Sequence, residues 1–223
     1  MTCATHLSAG PAARSAVLAL LLAVTAAPSA AQDGEAPAEG GLVPGWEFNL
    51  SLNNYILPGE EWYLMPILTA DRGRLHLVAR YNYEDRKTAS VWGGWRFAWE
   101  GEVSGEVVPM GGIVFGATDG LAPGLELDLT WWKLEFYAEL EYLFLFDDAS
   151  GNYFYAWSTL TVAPTDWLTL GLVGQRTRVV GSDMEVERGL LAGVRYDRFG
   201  LTFHWINPGM DETYSILTLD VMF

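Results

Sequence analysis

From about residue 46 onward the chain alternates apolar and polar side chains at a period of two and hardly stops doing so. In "GLELDLTWWKLEFYAELEYLFLF", Leu125, Leu127, Leu129 and Trp131 alternate with Glu126, Asp128, Thr130 and Trp132. The next segment puts Leu134, Phe136, Ala138, Leu140, Tyr142 and Phe144 on one face and Glu135, Tyr137, Glu139 and Glu141 on the other. In "GRLHLVARYNY" the apolar set is Leu75, Leu77, Ala79, Tyr81 and Tyr83, opposite His76, Val78, Arg80 and Asn82. Successive side chains of a strand point to opposite faces, so each segment divides two unlike surroundings. No segment of useful length carries the helical period.

The alternation and its breaks predict twelve strands, at 46–56, 61–70, 73–84, 88–99, 102–117, 123–132, 134–147, 151–163, 166–180, 186–197, 199–207 and 212–223. Odd-numbered breaks ("PGEE", "EDRK", "TDGLAP", "DASG", "GSDME", "PGMDE") are acidic or glycine-rich, and even-numbered ones such as "EG" and "DRF" are mostly tighter. Two alternating kinds of turn fit an all-β, closed, antiparallel up-and-down barrel whose ends face different compartments. Pro109 and Gly111-Gly112 weaken the strand at 102–117, because proline lacks a ladder donor. The apolar set Val103, Val107, Ile113 and Phe115 stays in phase across them, which favours one bent or bulged strand over two. Pro66 raises a milder form of the same question.

A soluble β-sandwich would alternate in the same way, so the choice of solvent rests on other features. Residues 1–31 combine Arg14, an apolar run from about Ala16 to Ala27 and the small-residue site Ser29-Ala30-Ala31, the pattern of a cleaved signal peptide. Residues 32–44 read as a flexible acidic lead-in and 45–223 as the barrel. The one cysteine, Cys3, falls in the signal segment, so the exported part is held by hydrogen bonds and burial rather than disulfides. Trp, Tyr and Phe number 10 each and gather near strand ends, at Trp46, Trp62, Trp95, Phe97, Trp99, Trp131, Trp167 and Phe199, where a membrane barrel places its interfacial girdles. The predicted strands also have the length that crosses a bilayer at a tilt.

The last strand adds a motif. Phe223, Val221, Leu219 and Leu217 share one face and Met222, Asp220, Thr218 and Ile216 the other. A terminal aromatic preceded by apolar residues at alternate positions resembles the closing strand of Gram-negative outer-membrane β-barrel proteins. The next alternate position departs from that pattern, holding Ser215 with Tyr214 beside it. The resemblance implies a transmembrane barrel in the cell outer membrane, with lipid and lipopolysaccharide around it. It also implies that the assembly machinery reads Phe223, Val221, Leu219 and Leu217. With Phe223 at the periplasmic rim, the odd-numbered loops face outward.

Function is then sought among the inward residues. Glu102, Glu106, Glu126, Asp128, Glu135, Glu139 and Glu141 fall on three successive strands, and like charges so close need water or cations beside them. His76, Arg80 and Arg96 on preceding strands, with Arg195 and His204 on later ones, supply candidate cations. Two readings follow: a wet, mildly cation-preferring channel for small hydrophilic solutes, or a lumen filled by ion pairs in a closed barrel with an adhesive or structural role. Trp92, Trp132, Tyr137, Tyr155 and Trp157 are expected to face inward, as stacking surfaces or as filler. Arg176 and Arg178 share the parity of the lipid-facing leucines and are expected near the outer rim, where lipopolysaccharide phosphates are one possible contact.

Catalysis has thin support. His76 and His204 remain after signal removal, and neither has a local Ser or Asp arrangement, although Asp211 near His204 keeps a barrel-embedded lipid hydrolase open as an alternative. Asp147, Asp148, Asp183 and Glu185 could offer oxygen ligands to calcium, but no spacing supports a metal site, and no cofactor is expected. A formal charge of -15, from 28 acidic and 13 basic residues, argues against nucleic acid as a partner.

Overall fold

The computed structural model describes residues 45–223; the expected signal segment and lead-in lie outside the described residues. The strands are β1 (Glu47–Ile56), β2 (Tyr63–Arg72), β3 (Leu75–Tyr81), β4 (Thr88–Trp95), β5 (Phe97–Trp99), β6 (Ser104–Gly116) and β7 (Gly120–Trp131). They continue as β8 (Leu134–Leu145), β9 (Tyr153–Thr165), β10 (Leu168–Val179), β11 (Glu185–Tyr196), β12 (Phe199–Ile206) and β13 (Tyr214–Met222). Chain neighbours pair antiparallel and β1 pairs with β13, closing a barrel of 12 staves in up-and-down order.

β4 and β5 form one stave. Both pair with β6 in unbroken register, Gly94 facing Met110 and Phe97 facing Val107. Pairing lapses between them because Pro109, opposite the gap, has no N–H to give. β6 itself runs through Pro109 as one strand without a register shift, so no bulge forms there. Among the described residues a shift occurs in the β9–β10 pair, between Leu168 and Leu170. Pro164, another residue without a ladder donor, lies in that stretch of β9. Residues Gly120 to Ala122, expected in a loop, belong to β7.

Closure reaches the last residue. Phe48 N–H donates to the Phe223 carbonyl at 2.9 Å, and Phe223 N–H donates to the Phe48 carbonyl at 3.0 Å. Their rings stack outside the barrel with centroids 5.7 Å apart, and Trp46 stacks on Phe48 in turn. The two ends of the barrel differ. At the Phe223 end the connections are 73–74, 100–103, 132–133, 166–167 and 197–198; at the other they are 57–62, 82–87, 117–119, 146–152, 180–184 and 207–213. In 146–152, the Ser150 hydroxyl and then its N–H hold the Asp148 carboxyl below the usual carboxylate range. Trp132, expected inside, sits in a tight turn at φ 55° and is 80% exposed.

The outer surface carries an apolar belt in which Leu77, Val91, Ile113, Leu125, Leu170, Leu190, Leu201 and Leu219 are all exposed. A belt of this extent far exceeds the patches tolerated in water and suits hydrocarbon. Aromatic residues flank it, with Trp95, Trp99, Trp131, Trp167 and Phe199 exposed toward the short-turn end.

Inside, the lumen is unevenly filled. Val78, Trp92, Met110, Val114, Ala122 and Leu143 form a dense core against β3, β4, β6, β7 and β8. Trp92, 3% exposed, lies over Gly112, where any Cβ would run into its ring. Glycine is required there by space, and covering that indole contributes on the order of 5 kcal/mol before entropy is subtracted. The 82–87 connection folds inward over this core. Asn82, at φ 60°, turns the chain, its N–H donating to the Thr88 carbonyl and its Nδ2 to the Leu64 carbonyl. Asparagine tolerates this left-handed conformation better than most residues. As a result Tyr83, expected on the outer face, points into the lumen.

Candidate functional site

The filled half centres on Arg80, whose side chain is 1% exposed. Its guanidinium meets Glu139 at 2.6 Å, Glu141 at 3.1 Å, Glu126 at 3.7 Å and Glu84 at 4.0 Å. It also lies over the rings of Tyr83 and Trp92, at 4.3 and 4.8 Å from the centroids. Glu84 comes from the infolded connection and accepts hydrogen bonds from Ser90 Oγ and Trp92 Nε1. Next along β3, His76 Nδ1 is 2.7 Å from Asp71 and Nε2 is 3.4 Å from Glu126. Arg96 Nε donates to both Glu106 oxygens at 2.9 Å. Buried charges survive only when paired and hydrogen-bonded, and this lattice joins β3, β7 and β8 across the barrel interior.

The other half is open. A cavity of about 490 Å³ runs along β1, β2 and β8–β13. Asn49, Asp220, Arg195 and Met222 line it near the short-turn end, and Tyr55, Tyr83 and Tyr155 near the other. A second cavity of about 230 Å³ lies beyond, bordered by Leu57, Tyr63, Gln175 and Tyr214. Tyr55, Met65, Tyr83 and Tyr155 line both cavities and form the waist between them. Tyr55 stacks on Tyr63 at 4.8 Å, and Tyr83 meets Tyr155 edge-on at 5.7 Å. Beyond the waist Tyr214 OH donates to Glu187 at 2.9 Å.

The twelve candidate lumen residues thus separate. Glu135, Glu139, Arg195 and His204 line the larger cavity. His76, Arg80, Arg96, Glu106, Glu126 and Glu141 are tied into the lattice of the filled half. Glu139 belongs to both settings. Asp128 pairs in register with Glu106 and Tyr137. Glu102 is exposed in the 100–103 turn, so it does not join the others. Arg176 and Arg178 are exposed on the outer face of β10 near its long-loop end. Leu217, Leu219 and Val221 alternate with the cavity-lining Ile216, Thr218 and Asp220.

An inventory restricted to charge overlooks most of the cavity wall. Asn49, Ser51, Asn53, Thr159, Thr161, Thr202 and Thr218 contribute neutral donors and acceptors. The alternation of "FNLSLNNYI" already puts Asn49, Ser51, Asn53 and Tyr55 on one face. Across the β1–β13 seam Thr218 Oγ1 donates to Asn53 at 2.7 Å, and Ser51 Oγ donates to Asp220.

This arrangement of closed staves recurs in solved structures. One described as "KdgM porin in complex with disordered oligogalacturonate" superposes with a TM-score of 0.58 at 9% identity, covering 78% of this chain and 99% of that one. A second KdgM porin structure gives a TM-score of 0.54 at 8% identity, covering 78% of this chain and 98% of the other. The fold is that of an outer-membrane, porin-like β-barrel. No protein-family model matches the sequence. No curated protein matches it either.

Proposed function

We propose that the protein is an outer-membrane pore for passive diffusion of small hydrophilic solutes, with a mild preference for cations. The polar cavity along the β9–β13 side carries this reading, since it extends from the short-turn end up to the tyrosine waist beside a half that is packed shut. Glu135, Glu139, Asp220 and Arg195 line that cavity. Arg80 already holds Glu139, which leaves a small negative excess in a narrow, low-dielectric passage. In this reading the apolar belt sits in outer-membrane lipid, the exposed Arg176 and Arg178 meet lipopolysaccharide, and the strand ending at Phe223 is read by the assembly machinery.

One KdgM structure holds oligogalacturonate, by its name an anionic oligosaccharide. The carboxylates of this lumen disfavour a polyanion, so the solute differs in charge. The test is planar-bilayer recording across a salt gradient. The wild type gives a reversal potential favouring cations, larger at low salt, where screening is weaker. Changing Glu135→Gln and Asp220→Asn together brings it toward zero. An unchanged potential in that variant removes the role of the carboxylates. Absence of current and of solute entry would favour the second reading, a closed barrel, which the packed half and the narrow waist support.

A further inference from the structure

We infer that the open half of the lumen is a saccharide path: it takes uncharged sugars in preference to ions, anionic sugars and flexible polymers of equal size. The inference rests on the pore reading and names the solute class of the same cavity.

The waist decides which solutes cross. Its shared lining is three tyrosines and a methionine, and the charges nearest to it, Arg80 over the Tyr83 ring and Glu139, are paired with each other. A small ion must leave part of its hydration shell there, and dehydrating a charge beside rings and a thioether is expensive. A pyranose carries no charge, and its two faces are largely C–H. It exchanges water for contact with aromatic rings, while its rim hydroxyls reach the tyrosine oxygens. Aromatic surfaces bring large contact area at fixed geometry, each with a polar edge.

The wall below the waist supports the same class. Asn49, Ser51, Thr159, Thr161 and Thr202 give uncharged groups that both donate and accept, matching hydroxyls that do the same. Trp157 adds an indole at the same level as His204, 5.7 Å between ring centroids. A volume of about 490 Å³ lies within the range of small-ligand pockets. Apolar surface with a few placed polar groups is the make-up of such pockets generally. Anionic sugars that enter from the long-loop end pass the rings and then meet Glu135 and Asp220 along the wall below them.

The waist also has a fixed origin. Tyr83 is delivered by the infolded connection, which is pinned by the Tyr153 hydroxyl donating to the Glu84 carbonyl at 2.8 Å and by Thr118 Oγ1 donating to Asp85 at 2.7 Å. The Arg80 guanidinium covers one face of the Tyr83 ring. The ring therefore meets a solute as part of a rigid surface, which lowers the entropy lost on contact.

The test uses the full-length barrel in proteoliposomes and planar bilayers. The probes are lactose, its anionic oxidation product lactobionate, and a polyethylene glycol of equal hydrodynamic radius. Lactose enters about tenfold faster than either of the others, the ratio that one or two aromatic contacts supply. It also reduces the ion current saturably. In the Tyr83→Leu, Tyr155→Leu double variant, lactose falls to the rate of the polymer and the saturable block is lost. If the double variant does not fold, Tyr83→Leu alone carries the test, because Tyr83 lies in a connection and not in a stave. Swelling with lactose but no ion current also supports the inference, as the waist then excludes ions outright. Equal entry of lactose and polymer through a conducting barrel refutes the saccharide path and leaves the pore standing. Neither current nor swelling refutes both.

Discussion

Replacing Arg80 by Met should be among the most damaging single changes in this barrel. The guanidinium has two carboxylates within hydrogen-bond distance, Glu139 at 2.6 Å and Glu141 at 3.1 Å, and two more, Glu126 and Glu84, within 4.0 Å. Methionine fills much of the volume but leaves Glu84, Glu139 and Glu141 facing one another with no cation among them, while Glu126 keeps His76. Removing one partner of a buried charge network typically costs about 3–5 kcal/mol, most of it from the unpaired charges left behind. Loss of the guanidinium from the faces of Tyr83 and Trp92 acts in the same direction. The assay is urea unfolding of the protein refolded into lipid or detergent, followed by tryptophan fluorescence, with the slope checked for constancy. R80M should lose about 3–5 kcal/mol, and adding Glu139→Gln and Glu141→Gln should restore most of it, since neutral amides need no counter-charge. A wild-type midpoint in R80M would falsify the reasoning, and so would a triple variant no more stable than R80M.

Three further outcomes are expected. Deleting Phe223 removes both closing hydrogen bonds to Phe48 and the stacked ring pair, so outer-membrane insertion should fall while export continues; membrane fractionation and heat-modifiable gel mobility check this. Cysteines placed at Ser150 and Ser182, in long connections, should react with a membrane-impermeant reagent on intact cells, and one at Thr165, at the opposite end of β9, should not. Labelling at Thr165 alone would reverse the orientation. Gly112→Ala drives a Cβ into the Trp92 ring and should cost about 1–3 kcal/mol by overpacking in the same urea assay, whereas Gly111→Ala, whose Cβ meets open space, should leave the midpoint nearly unchanged.

The staves were legible because alternation is a local property: Leu125 to Trp131 show their period without reference to any other strand. Pro109 was ambiguous for the opposite reason. Its missing N–H affects the neighbour, β4 and β5, while its own strand keeps pairing with β7 on both sides of it. Tyr83 was misplaced because Tyr81-Asn82-Tyr83 continues the outward pattern on paper, and one left-handed residue, Asn82, overrides it. Parity also says which face a carboxylate takes but not which part of the interior it reaches. Arg80 and Glu141 meet across 61 residues of sequence, an encounter set by barrel curvature and the register of every stave between them. That is why the inward charges read as one acidic wall, although the fold packs some of them into a lattice and leaves others beside open space.

The seam between β1 and β13 sets the order in which the molecule can come into being. Asn49 lies opposite Met222, and eight consecutive partner pairs join the first strand to the last. No local contact can stand in for them, and contacts of such sequence separation form slowly. Until they form, two strand edges with unpaired amides and carbonyls are available to any other chain that passes. A polypeptide carried to the bilayer before closure would travel with two sticky margins, and an escort that occupied them would keep it from pairing with other chains. Defects in such an escort should appear first as intermolecular strand pairing at these margins, before any stave inside the sheet is disturbed.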